Sequence, residues 1–288
     1  MVVDVSNKND HCNDTSSKEL LEIVMRNKGD MNSVRKEISD AHYLMNFSAQ
    51  SSNVARIVLP QAGQRVLEIG SAYGNRTKIL AECDAVVECI EPDVYKGKVA
   101  ATLNQNLSNV KIYAGYTWNE LQYVLNEVYD IVYVWDVKAL GAELNYLVLS
   151  DLMRMTDHQG NVVVCIDNKY GIKYWNGYRK RVGEGLFSAL LGKRKDVVSY
   201  NVLVNIVSKL QKPVEWYYPF PDMCYTEEIY SDSWMPQEGD IEKLEVPGEE
   251  GIWYMYDEKT VLREILKDGL FKQFTNSYMI VIGGNSNG

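Results

Sequence analysis

Read for periodicity, the chain changes character near residue 60. Ahead of that point apolar residues recur at helical spacing. Ser16, Ser17, Lys18 and Glu19 have the order of a capping box, and Leu20, Ile23 and Val24 then form a stripe closed by Gly29. A second helix is predicted from Ser33, with Val34, Ile38, Ala41 and Met45 on one face. A short third helix over 53–59 stops at Pro60. These make an N-terminal helical cap over 16–60, preceded by a polar, loose tail over 1–15.

Beyond Gly63 the period shortens. Apolar runs appear as RVLEI (65–69), AVVECI (85–90), VKIYA (110–114), DIVYVW (130–135) and NVVVCI (161–166). The segments between them are mostly helical in period, as over 143–155. Strands alternating with helices in this way predict an α/β fold, a doubly wound parallel sheet with right-handed crossovers. A basic stretch follows, then a helix over 200–210, a strand VEWYY (214–218) and an irregular aromatic and acidic segment. A helix over 258–268 and a strand SYMIVIG (277–283) close the pattern.

Composition narrows the possibilities. With 288 residues, 46% hydrophobic and 24% charged, the chain suits one α/β domain with additions and is not a disordered or disulfide-held chain. A net charge of −9 argues against nucleic acid as a partner, since phosphate neutralisation needs a basic surface. No apolar run approaches the roughly 20 residues of a membrane span, and the N-terminus lacks the apolar core of a secretory signal. Five scattered cysteines without a CxxC pair read as reduced thiols in a cytoplasmic protein. Three histidines without ligand spacing predict no tightly held metal. Charge is unevenly spread: residues 169–195 hold eight Lys/Arg against one acid, and 222–258 hold twelve acids and one lysine. The basic tract reads either as a seat for a phosphate-bearing acceptor or as a solvated loop pairing with the acidic segment.

The most informative chemistry lies where the first strand runs into a small-residue turn, at Glu68, Gly70, Ser71, Ala72 and Gly74. Small residues let backbone N–H groups approach a ligand closely. The spacing is not the GxGxxG of dinucleotide folds, and Glu68 favours a cationic group over a pyrophosphate. The second strand ends in Glu91, followed by Pro92, twenty-one residues past Gly70. An acid there accepts hydrogen bonds from the ribose hydroxyls of an adenosine ligand.

Over about 63–284 the chain resembles class I S-adenosylmethionine-dependent methyltransferases. Glu68, Gly70 and Gly74 match the E/D-x-G-x-G-x-G motif of that family, with Ala72 at the middle glycine. The resemblance implies a seven-stranded Rossmann-like sheet, mainly parallel, with an antiparallel last strand. It implies a domain over 61–284 that carries a basic substrate segment (168–199) and an acidic insertion (219–257) before the last helix and strand. The implied cofactor is S-adenosyl-L-methionine, leaving as S-adenosyl-L-homocysteine. Gly70, Ser71, Ala72 and Gly74 would line its methionine and ribose, and Glu91 with Pro92 would hold the ribose side. The loop 115–118 with Trp118 would flank the adenine, and Asp136 would face the transferable methyl.

A narrower resemblance rests on IDNKYGIKYWNG (166–177) and WYYPFPDMCYTEEIYSDSWMP (216–236). These look like segments of a bacterial methyltransferase group associated with glycosyltransferases and surface-polysaccharide assembly. Asp167, Ile172 and Met223 stand where that group has Glu, Leu and Tyr, and YRKRVGEG replaces its acidic stretch. Both segments leave strand ends, so Asn168, Tyr170, Tyr174, Trp175 and Asp222 offer aromatic faces beside hydrogen-bonding groups, a chemistry suited to a sugar or flat polar acceptor. A hydroxyl acceptor also needs a base. Asp136, Asp167, His42 and Asp222 are the candidates, in that order. Each has an ordinary alternative, Asp136 as a strand-end cap and His42 as a helix-face residue. The expected function is methyl transfer to an oxygen of a carbohydrate-like or other small-molecule acceptor. Methylation of a nitrogen, and an inactive scaffold on the same fold, stay open.

Overall fold

Ten strands form one sheet in the computed structural model, which describes residues 3–5, 15–39, 41–125, 127–178, 185–242 and 255–283. In chain order they are β1 (Val3–Val5), β2 (Arg65–Ile69), β3 (Val86–Glu91), β4 (Val110–Ala114), β5 (Tyr129–Val134), β6 (Thr156–Asn168), β7 (Val197–Val198), β8 (Val214–Asp222), β9 (Tyr225–Ser231) and β10 (Ser277–Gly283). Their spatial order is β1-β4-β3-β2-β5-β6-β10-β8-β9, with β7 paired to the end of β6. Strands β2 to β6 run parallel, and β10 lies antiparallel between β6 and β8. The expected antiparallel last strand is therefore present. The expected count of seven is not: β1 widens one edge, β9 folds back on β8 at the other, and β7 adds a short pair. The segment expected to be irregular after 218 contains most of that β8–β9 hairpin.

The strands form where β-branched residues run together, because both faces of the sheet are covered. Alternation sends Leu67, Ile69, Val132, Val134, Val162 and Val164 to one face, where Val148, Leu149 and Leu152 of the helix Tyr146–Arg154 pack. Val66, Val87, Cys89, Ile131 and Val163 point the other way, onto Leu80 and Ala81 of Asn75–Glu82 and Ala100 of Val94–Leu103. The chain turns from one direction of the sheet to the other between β2 and β5. Such a reversal of strand order is where open α/β sheets have their ligand crevice, outside the carboxyl ends of the strands, here of β2 and β5.

Four helical segments precede β2 among the described residues. The first, Thr15–Arg26, follows the expected stripe. The helix expected from residue 33 to 45 is two, Met31–Glu37 and Ala41–Asn46, because Ile38 turns extended (φ −78°, ψ 123°). Ser39 and Asp40 follow it, residue types whose side chains compete with helical hydrogen bonds. The fourth segment is a 3₁₀ helix, Gln50–Arg56, where a short helix over 53–59 was expected. Leu20, Val24, Val34, Tyr43 and Phe47 bury themselves together with Tyr73 and Val99, so this layer packs on the turn after β2 and on the helix after β3. Among the described residues no helix is long and apolar enough to cross a membrane.

Candidate functional site

The turn after β2 concentrates unusual backbone. Gly70 (φ 87°), Tyr73 (φ 66°) and Gly74 (φ 91°) are all left-handed. Glycine meets that demand without strain; tyrosine does not, and its neighbours must hold it. Tyr73 is buried, with ring centroids 5.8 Å from Tyr43 and 5.7 Å from Phe47, both from the N-terminal layer. A β-carbon on Gly74 would come within 2.7 Å of Ala100 Cα, which keeps the helix Val94–Leu103 close to the turn. Asn104 Nδ2 donates to the Gly74 carbonyl at 3.0 Å and secures the same approach. Ala72 lies in this turn; its side chain is outside the described residues.

Glu68 lies beneath the turn, fully buried. Its Oε2 accepts a hydrogen bond from the Thr77 hydroxyl at 2.6 Å, and its Oε1 makes no hydrogen bond among the described residues. Burial pushes this carboxyl up to about 7, against the opposing hydrogen bond from Thr77.

Glu91 ends β3 beside the turn. The Ser71 N–H and hydroxyl each donate to its Oε2 at 2.9 Å, and the Asp93 N–H donates to Oε1 at 3.1 Å. Burial raises its pKa, with Lys96 and the two backbone donors opposing. Pro92 follows, half-buried. Asp136 lies just past the end of β5 and caps the 3₁₀ turn Val137–Leu140, its Oδ1 accepting from the Lys138 N–H at 2.9 Å. Gly70, Glu91 and Asp136 thus meet at one crevice. Lys96, unnoticed in the sequence, joins them. Its first-turn position five residues past Glu91, behind the Asp93 cap, was the available signal.

On the other side of the crevice, β6 and β8 end in a buried ionic network. Lys173 Nζ donates to Asp167 Oδ1 at 2.9 Å and also pairs with Asp222 Oδ2. Tyr174 donates its hydroxyl to Asp167 Oδ2 at 2.9 Å, and Arg194 lies 3.6 Å from the same oxygen. Arg194 in turn grips Asp196 through two nitrogens at 2.8 and 2.9 Å, and Lys138 reaches Asp196 at 3.0 Å. The carboxylates Asp167 and Asp222 raise the Lys173 pKa well above the ordinary lysine value despite burial, which works to lower it.

This network changes several expectations. Asp167 has both oxygens engaged by cations and a hydroxyl, which suits a structural carboxylate and not a base. Asp222 is likewise engaged, by Lys173 and by the Cys224 N–H at 2.8 Å. Asn168 is fully buried; its amide donates to the Gln273 and Thr275 carbonyls, both at 2.7 Å, and its Oδ1 accepts from the Tyr170 N–H. It fixes the segment and has no face for a ligand. Tyr174 is also buried. Tyr170 and Trp175, by contrast, are 41% and 45% exposed, and the Trp175 indole donates to the Tyr170 carbonyl at 3.2 Å. They form the accessible aromatic pair of this segment. Trp118 is buried, its indole N–H directed at Met155 Sδ at 3.4 Å, and Tyr116 of the same loop is half-buried against the core. His42 falls in the helix Ala41–Asn46, and its side chain lies outside the described residues. Of the basic tract, Lys173 and Arg194 turn inward to carboxylates, and residues 179–184 lie outside the described residues.

No protein-family model and no curated protein matches the chain by sequence. Solved structures match by fold. The chain is similar to Haemonchus contortus phosphoethanolamine N-methyltransferase 2 in complex with S-adenosyl-L-methionine, with 13% identity and a TM-score of 0.50 over 93% of this chain and 60% of that one. It is similar to a methyltransferase from Thiobacillus denitrificans in complex with S-adenosyl-L-homocysteine, with 12% identity and a TM-score of 0.49 over 85% and 98% of the two chains. The plantazolicin methyltransferase BpumL, in complex with the same product, gives 9% identity and a TM-score of 0.48 over 94% and 100%. The chain spans 60% of the length of the Haemonchus enzyme. At these identities the likeness is one of fold, shared with S-adenosylmethionine-dependent methyltransferases of several kinds.

Proposed function

We propose that this chain is an S-adenosylmethionine-dependent methyltransferase acting on a hydroxyl of a small, carbohydrate-like acceptor, with residues 61–284 as the catalytic domain and 16–60 as its cap. The observation that carries the reading is the convergence of the Gly70–Gly74 turn, Glu91 and Asp136 on the crevice where the strand order reverses. The residues fit the cofactor. Glu91 Oε1 takes a single donor, from Asp93, which supports a ribose hydroxyl as its further partner, and Glu68 Oε1, without a hydrogen bond among the described residues, supports a buried acceptor under the turn. The cofactor, when bound, supplies an electrophilic methyl group on a positively charged sulfur.

The chain's own task is then to hold the acceptor in line and take its proton. Asp136 suits the second role best. One of its oxygens is fixed by the Lys138 N–H, and the other makes no hydrogen bond among the described residues. Tyr170 and Trp175 supply faces on which a sugar ring can stack. The narrower likeness to surface-polysaccharide methyltransferases supports a carbohydrate through the segments that hold these two residues and Asp222. Lys173 and Arg194 are committed to carboxylates, so of the basic tract Lys169, 5.4 Å from the centre of the Tyr170 ring, is the cation beside the acceptor face.

The test is incubation with methyl-labelled S-adenosyl-L-methionine and a panel of glycosides and matched amines, read by mass spectrometry. A one-methyl gain on a glycoside supports the reading. Transfer to amines alone would move the acceptor atom to nitrogen.

A further inference from the structure

The cations near the crevice are mostly spent. Arg76 is buried, with Nε donating to the Ser51 carbonyl at 3.1 Å, one terminal nitrogen donating to the Met223 carbonyl at 2.8 Å, and its plane over the Trp135 ring at 5.0 Å. Lys138 is held by Asp196 at 3.0 Å, and Lys173 and Arg194 belong to the network between β6 and β8. Lys96 differs. Its ammonium rests 5.3 Å from the centre of the Tyr73 ring and makes no hydrogen bond or ion pair among the described residues. It feels the charges of Glu91, Asp136 and Asp93, which with Tyr73 hold it protonated against the opposing effect of burial. Half-buried and facing the Gly70–Gly74 turn, it is a cation without a close counter-ion among the described residues, next to the turn that meets Glu91 and Asp136.

The cofactor proposed above carries one anionic group, the carboxylate of its methionyl part. Its nucleoside is neutral, and its ammonium and sulfonium are cationic. A lysine that meets this ligand finds charge complementarity only at the carboxylate, and ion-paired hydrogen bonds of this kind are the strong ones. The aromatic ring beneath the ammonium also limits its wandering, so less side-chain freedom is lost when a carboxylate arrives.

We propose that Lys96, poised over the Tyr73 ring of the Gly70–Gly74 turn, binds the carboxylate of the cofactor's methionyl group and thereby selects amino-acid-bearing adenosyl ligands. The assignment rests on the cofactor reading. Its consequence is a split between two ligands: S-adenosyl-L-homocysteine has the carboxylate, and 5′-methylthioadenosine keeps the nucleoside and thioether without it.

The experiment is calorimetric titration of the wild-type protein and the Lys96→Met and Lys96→Arg variants with both ligands. Lys96→Met is expected to weaken S-adenosyl-L-homocysteine by about ten- to a hundredfold and to leave 5′-methylthioadenosine within about twofold. Lys96→Arg is expected to retain most of the affinity for both. Retained binding of 5′-methylthioadenosine also certifies that Lys96→Met is folded. Equal loss of both ligands, or no loss of either, overturns the assignment while leaving the cofactor reading in place. Wild-type protein that binds neither ligand removes both.

Discussion

Gly70 lies so near Asp136 that a β-carbon on it would stand 2.9 Å from the Asp136 Cβ and 3.0 Å from its amide nitrogen. The tip of β2 and the tip of β5 are therefore fitted to each other through a missing side chain. The same glycine is left-handed, so any other residue is strained twice. Gly70→Ala should cost about 2 kcal/mol or more in stability, measured by urea denaturation, and should shift Asp136 enough to weaken S-adenosyl-L-homocysteine. A variant as stable as wild type would show that this contact does not shape the crevice.

Glu91 links the turn to β3 through Ser71. Glu91→Gln keeps the shape and removes the charge that accepts from Ser71 and, on the proposed reading, from ribose. Calorimetry should register a loss of about tenfold or more in affinity for S-adenosyl-L-homocysteine, with the loss equal for 5′-methylthioadenosine because both carry the ribose. Unchanged affinity would take Glu91 out of the ribose role.

Glu68 makes stability depend on pH. Its folded-state value near 7 exceeds the ordinary 4.5, so the native state binds the proton more tightly than the unfolded chain. Stability is then greatest below about 4.5 as far as this group is concerned, and it falls as pH rises toward 7 and just beyond. The full effect is about 3 kcal/mol at most. Glu68→Gln should flatten that part of the profile between pH 5 and 8 in chemical denaturation. An identical slope in wild type and variant would contradict the raised value.

Lys173 holds two carboxylates from different strands. Lys173→Met leaves Asp167 and Asp222 facing one another with less compensation, and the expected cost is about 3–5 kcal/mol. Adding Asp222→Asn in the same chain should recover part of it. If the double variant is no better than the single, the loss comes from packing and not from charge.

Much of this was legible in the chain. Strands β2, β4 and β10 run over the residues anticipated, because continuous β-branched and apolar runs are what a doubly covered sheet demands. Strand β9 was hidden because Glu227 and Glu228 interrupt it and a register shift breaks its alternation, although Thr226 and Tyr230 are buried. The prolines at 219 and 221 disguised the end of β8; they fall where pairing with β10, last made at Tyr217, has already ended. The charge tracts misled in a different way. Lys173 meets Asp222 from 49 positions away, and linear spacing carries no sign of such a pairing. Lys96 was passed over because one lysine in a helix reads as solvated, and only the left-handed Tyr73 folding beneath it makes the position special.

The most direct measurement is calorimetric titration of the purified wild-type protein with S-adenosyl-L-homocysteine, after mass spectrometry has checked for ligand carried through purification. Binding of one molecule per chain at micromolar concentration, or a co-purified adenosyl ligand, is the expected result. No heat of binding at millimolar ligand, with a folded protein and nothing carried over, would contradict the assignment of the crevice and with it the proposed function.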